Sequence, residues 1–242
     1  MIFSKKKNNR KIKYTKKKNK HNKYKWIVYP LEYIYNSIFL DKKFKEHIYN
    51  KNTKCDSLMI VAHPDDEFIF GSKYLLKHKW CIVNITNGTY NSRHVSMVLY
   101  DRKKEFRHAC NIFNIEGRIW NFKDSLFHIP WNTDILKNKL KNLLLEKKWK
   151  RIVTHCKKGE YGHNQHKLVH KYVMKTIVNY NIHPKNGIFV FGKSKKKINI
   201  KEEEKMKELI KILYKSQNRI INNLIDLILY SKHIKFNPYK KI

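Results

Sequence analysis

The sequence predicts an α/β fold of Rossmann-like type, a mostly parallel sheet with helices on both faces. Two observations predict it. Short continuous apolar runs such as Leu58-Met59-Ile60-Val61-Ala62 are what a strand buried on both faces of a parallel sheet requires. Between successive runs lie longer stretches whose apolar residues recur at helical spacing. Strands alternating with helices in this way build βαβ units.

Taken in order, the first strand runs from Leu58 to Ala62. From Glu67 to Lys77 the spacing is helical, with Phe68, Phe70, Tyr74 and Leu75 on the apolar side. A second strand, from Trp80 to Thr86, stops at Asn87-Gly88, a dipeptide that favours a turn. Ser96 to Phe113 reads as a helix carrying Val98, Leu99, Phe106, Ala109, Cys110 and Phe113. Arg118 to Phe122 makes a third strand. Asp134 to Lys148 makes an amphipathic helix carrying Ile135, Leu136, Leu140, Leu143 and Leu144. The fourth strand, Arg151 to His155, leads to a helix from Gln165 to Asn179, and a fifth strand spans Ile188 to Phe191. The rest, Glu202 to Lys232, carries a long helical stripe that includes Leu209, Leu213, Ile220, Leu224 and Ile228.

The 242 residues suit one substantial domain with extensions. The expected organisation is a disordered basic arm over residues 1–25, an N-terminal extension over 26–54 and a catalytic domain over 55–242. Charge is the unusual property: 54 Lys and Arg stand against 19 Asp and Glu, a formal net of +35. Such an excess points to polyanionic partners, although abundant Lys, Asn, Ile and Tyr beside scarce Gly and Pro also fit an AT-rich coding genome. Basic residues concentrate between Lys5 and Lys25, a segment without Asp or Glu. It could contact an anionic membrane surface at roughly 1 kcal/mol per basic residue. The apolar stretch from Trp26 to Leu40 is too short to span a bilayer and contains Pro30, Glu32 and Asn36. With no CxxC pair among Cys55, Cys81, Cys110 and Cys156, the expectation is a cytoplasmic protein with reduced thiols. GxGxxG does not occur, and the one GxxxxGK spacing, Gly187 to Lys193, encloses the apolar run Ile188 to Phe191 read as the fifth strand, so neither a dinucleotide site nor a P-loop is expected.

Two clusters carry chemistry. His63-Pro64-Asp65-Asp66-Glu67 follows the first strand directly. Adjacent carboxylates at a partly buried strand end are costly unless a cation compensates them. The helix dipole accounts for one or two of the acids but not for the histidine. Imidazole and carboxylate are good zinc ligands, and His63 and Asp66 could converge on one ion while Asp65 points elsewhere, free to accept a proton. The second cluster, from Thr154 to His166, follows the fourth strand. Gly159 and Gly162 allow a tight loop, and His163 and His166 stand three apart at the start of a helix.

His63-Pro64-Asp65-Asp66-Glu67 together with Gly162-His163-Asn164-Gln165-His166 resembles the LmbE/PIG-L family of zinc de-N-acetylases. Arg102-Lys103-Lys104-Glu105, Asp124 and Lys215-Ser216-Gln217 also resemble family positions. The family includes N-acetylglucosaminylphosphatidylinositol de-N-acetylase of glycosylphosphatidylinositol-anchor (GPI-anchor) synthesis. The resemblance implies Zn2+ (or another divalent metal) on His63, Asp66 and His166, with Asp65 as general base. It further implies His163 as general acid or oxyanion stabiliser, Tyr161 polarising the carbonyl, and Arg102 and Asp124 contacting the sugar or its anionic aglycone. Zinc would make a nucleophile at neutral pH by lowering the pKa of its water to about 7. Glu160-Tyr161 resembles bacterial-type glycan deacetylases, whereas the segment from Ser231 to Asn237 resembles the eukaryotic glycolipid enzymes. The expected substrate is an N-acetylglucosaminyl glycolipid met at the cytosolic face of the endoplasmic reticulum. The alternatives are a soluble glycan or a small amide conjugate. Nucleic-acid binding would leave both clusters unexplained.

Overall fold

The computed structural model describes residues 46–51, 54–88, 102–124, 131–194, 205, 208–209, 212–217 and 231–240. The basic arm, Trp26 to Leu40 and most of the stripe from Glu202 to Lys232 lie outside the described residues.

Seven strands form one sheet. In chain order the elements are β1 (His47–Tyr49), β2 (Ser57–Val61), α1 (Asp66–Leu75), β3 (Trp80–Thr86), α2 (Arg102–Phe113) and β4 (Glu116–Phe122). Then come α3 (Thr133–Leu145), β5 (Arg151–Thr154), α4 (Asn164–Asn179), β6 (Ile188–Lys193), a 3-10 turn (Lys215–Gln217) and β7 (Ser231–Phe236). The spatial order is β1-β4-β3-β2-β5-β6-β7. Strands β4, β3, β2, β5 and β6 run parallel, while β1 on β4 and β7 on β6 are antiparallel edges. The expected α/β architecture is therefore present.

Period-2 alternation in β2 divides the core between the two faces of the sheet. Leu58 and Ile60 pack with Leu136 and Leu140 of α3 and Val169 and Val173 of α4. On the other face, Met59 and Val61 pack with Phe68 of α1 and Phe106 of α2. All four β2 residues are fully buried, each contributing about 1.5–3 kcal/mol of apolar transfer.

The edges differ from the expectation. β1 falls inside the segment read as an extension, pairing His47 with Ile119 and Tyr49 with Gly117. β7 begins where the helical stripe was expected to end, pairing His233 with Phe191 and Phe236 with Ile188. Its Ser-Lys-His-Ile-Lys-Phe sequence puts lysines on an edge, where they discourage further strand pairing.

Candidate active site

The chain leaves the central pair β2 and β5 in opposite directions, through β3 and β4 on one side and β6 on the other. In an open α/β sheet the crevice beyond such a pair is where ligands bind. Both sequence clusters emerge there, one from each strand.

After β2 the chain turns sharply into α1. Asp65 sits at φ 124°, where an L-residue costs on the order of 1–3 kcal/mol. Three contacts hold it: its N–H donates to Glu67 Oε2 at 3.1 Å, its carbonyl accepts from Phe68 and Ile69 at 2.9 Å, and its carboxylate pairs with Arg102 Nη2 at 2.8 Å. The turn thus separates the two adjacent acids, and Asp66 faces His63, its carboxylate accepting the His63 N–H at 2.8 Å while its own N–H donates to the His63 carbonyl at 3.2 Å. Glu67 is held in turn by the hydroxyl of buried Tyr214, and burial raises it to about 8.

After β5 the loop from His155 to His163 depends on two glycines. Gly159 has φ 66°, and a Cβ there would lie 2.5 Å from the carbonyl oxygen of His163. Gly162 has open space around it, yet its φ of 99° disfavours any side chain. His163 then caps α4, its Nδ1 accepting the Gln165 N–H at 3.2 Å.

The metal-ligand expectation can be tested on the donor atoms. His63 Nδ1 lies 3.2 Å from Asp66 Oδ2, His166 Nε2 lies 3.3 Å from His63 Nδ1, and His166 Nε2 lies 3.4 Å from Asp66 Oδ1. Tetrahedral bonds of about 2.0–2.1 Å place neighbouring ligands about 3.3 Å apart, so the triangle has the size that zinc requires. The outer ring nitrogens settle the tautomers. His63 Nε2 donates to Gln165 Oε1 at 2.6 Å, the amide being oriented by its donation to the Lys123 carbonyl at 3.2 Å. His166 Nδ1 donates to Glu160 Oε2 at 2.7 Å. Both inner nitrogens therefore offer lone pairs, and the residues fit the ion.

His163 and His155 also come close enough to complete a ligand set with His166. Their geometry argues otherwise. His155 Nε2 already accepts the Ala62 N–H at 2.9 Å, and His163, with Nδ1 accepting, carries its proton on Nε2. Burial, with neighbouring His166 and His63, pushes His163 down to about 3, so it stands as a neutral donor. Burial opposes a charge on His63, yet Asp124 and Asp66 hold it well above the ordinary histidine range when no ion is bound. Burial lifts Asp65 to about 7 against the pull of Arg102, close to the value a general base needs at neutral pH.

The structure brings together all eight residues singled out in the sequence. Tyr161 is half exposed at the mouth, its ring 5.8 Å from that of His163 and 5.5 Å from that of His166. Burial and the Asp66 and Asp65 carboxylates raise its pKa, so it remains a hydroxyl donor. Arg102 and Asp124, expected at the substrate, are engaged within the site. Arg102 binds Asp65 and the Pro64 carbonyl, with Nη1 3.4 Å from Asp124 Oδ2, and Asp124 Oδ1 lies 3.4 Å from His63 Nε2. Two further parts had no sequence role assigned, Glu160 and Gln165, although both stand inside the second cluster. Lys215-Ser216-Gln217 docks on α2 through Ser216, whose N–H and hydroxyl donate to Glu105 at 2.9 and 2.6 Å.

The family description "GlcNAc-PI de-N-acetylase" (PIG-L) matches residues 58–177, the stretch that carries both clusters. The chain belongs to the LmbE/PIG-L family. An uncharacterised protein, L374, of Acanthamoeba polyphaga mimivirus is 39% identical over 183 residues, covering 71% of this chain and 76% of the relative. Among solved structures, an N,N'-diacetylchitobiose deacetylase from Pyrococcus horikoshii matches with a TM-score of 0.57 and 13% identity, covering 88% of this chain and 93% of its own. A 4-carboxy-2-hydroxymuconate hydratase from Pseudomonas putida matches with a TM-score of 0.51 and 14% identity, covering 77% and 98%. At such identities these likenesses show the fold, which carries more than one chemistry. Family membership is what supports a de-N-acetylase, an amide hydrolase with a metal-binding site.

Proposed function

We propose that the chain is a zinc-dependent hydrolase removing the acetyl group from an N-acetylglucosaminyl substrate, and that this substrate is N-acetylglucosaminylphosphatidylinositol in GPI-anchor biosynthesis. The observation that carries the reading is the 3.2–3.4 Å donor triangle of His63, Asp66 and His166 beside a separately held Asp65. Zinc there supplies Lewis acidity and water activation. Asp65 accepts the proton of the attacking water as it adds to the acetyl carbon. His163, through Nε2–H, and Tyr161, through its hydroxyl, donate to the developing oxyanion, each worth roughly 3 kcal/mol. Since His163 is neutral, Asp65 is the group that returns a proton to the leaving amine as acetate departs.

Two features favour an anionic glycolipid. Exposed Lys157, Lys158 and Lys167 flank the loop that carries Tyr161, where they would attract a phosphodiester. The basic residues between Lys5 and Lys25, outside the described residues, would draw the protein to an anionic cytosolic surface of the endoplasmic reticulum. No helix among the described residues is long and apolar enough to cross a membrane.

The test is acetate release from N-acetylglucosaminylphosphatidylinositol beside N,N'-diacetylchitobiose and an N-acetylglucosaminyl thiol conjugate. The glycolipid is expected to give the highest kcat/KM. Preference for either soluble substrate would keep the chemistry and overturn the glycolipid assignment.

A further inference from the structure

We propose that Glu160 is a positioning residue of the metal site, fixing both the His166 tautomer and the turn that carries His63. The inference rests on the metal-dependent reading above. Glu160 adopts φ 54°, which turns its side chain back beneath the loop, where it is only 4% exposed. Its carboxylate accepts three hydrogen bonds, all from the second cluster. Oε1 accepts the Cys156 N–H at 2.8 Å. Oε2 accepts His166 Nδ1 at 2.7 Å and His155 Nδ1 at 3.0 Å.

That one oxygen therefore acts on two histidines with different tasks. With its proton held on Nδ1, His166 directs the Nε2 lone pair at His63 and Asp66. With its proton likewise held on Nδ1, His155 uses Nε2 to accept the N–H of Ala62 at 2.9 Å, the residue before His63. The rings of His155 and His166 stack at 3.9 Å, so both follow the same carboxylate. The Ala62 N–H needs the Nε2 lone pair, so the ring that holds it is neutral. His170 completes the scaffold by donating Nδ1–H to the His155 carbonyl at 2.7 Å. A carboxylate behind a ligating histidine typically changes metal affinity about 10- to 100-fold.

The variant Glu160→Gln tests this with nearly the same shape. Its amide nitrogen would face either two histidine N–H groups or the Cys156 N–H, and no orientation satisfies all three donors. Relief comes from moving the His166 proton to Nε2, where it blocks the ion. Zinc affinity, measured by competition with a chromogenic chelator, is expected to fall about 10- to 100-fold in Glu160→Gln and to recover partly in Glu160→Asp. Ring 15N shifts of the zinc-loaded parent are expected to show His166 protonated at Nδ1. Equal zinc affinity in parent and Glu160→Gln would overturn the role of Glu160 alone. So would a His166 bound to zinc through Nδ1, a result that holds even if the variant does not fold. A parent chain that binds no zinc would instead overturn the metal reading beneath it.

Discussion

Arg102 reaches from the first turn of α2 to pair with Asp65 at 2.8 Å, so the base of the proposed reaction is held by a cation. Burial raises Asp65 to about 7, and Arg102 opposes that rise. A base must be deprotonated to act, so activity is expected to grow as pH increases through this region. Arg102→Gln removes the opposing charge and should move the acid limb of the kcat/KM profile upward by about one unit. An unmoved limb would show that another group governs it.

Tyr161 can be altered with little structural consequence because half of it faces solvent. Tyr161→Phe should lower kcat roughly 100-fold, the loss of one oxyanion donor, with zinc content and melting temperature unchanged. A fall in zinc content would place the residue in the metal site instead.

Gly159→Ala should be more damaging than Gly162→Ala. Both positions have positive φ, but only at Gly159 does a Cβ meet backbone, the His163 carbonyl at 2.5 Å. Thermal unfolding with and without zinc is the check: Gly159→Ala should lose both stability and zinc stabilisation. Equal losses in the two variants would mean that φ, not the close approach, sets the cost.

Away from the site, His233 is buried and its ring stacks on Tyr74 at 3.8 Å. Burial, with Arg151 and His78, pushes it down to about 3. Because the folded state resists protonation, this contribution is complete above the unfolded histidine value of about 6.5 and is lost as pH falls from there toward 3. Its full extent is on the order of 5 kcal/mol. Denaturant unfolding should show a smaller drop in stability between pH 6.5 and 4 for His233→Phe than for the parent. Parallel pH curves would contradict the assignment.

What the sequence revealed follows from how local each signal is. β2 and its parallel neighbours are legible because strands buried on both faces must be apolar throughout, as Leu58 to Val61 are. β1 has three residues and a partner about 70 positions away, and β7 is rich in lysine, so neither has a local signature. In the site, His63, Asp65, Asp66, His163 and His166 stand out because such residues at strand ends are otherwise costly. The work of Glu160, Gln165 and Arg102 was not legible. It depends on a left-handed backbone at Glu160 and on contacts from Arg102 to Asp65 and from Gln165 to His63 that span 37 and 102 positions.

The central claim is that His63, Asp66 and His166 hold the metal while Asp65 moves the proton. It is tested most directly by zinc content measured beside acetate release from N-acetylglucosaminylphosphatidylinositol, for the parent, Asp65→Asn and His166→Ala. The account predicts near-equimolar zinc in the parent and in Asp65→Asn, zinc lost from His166→Ala, and turnover abolished in both variants. Full zinc in His166→Ala, or undiminished turnover in Asp65→Asn, would contradict it.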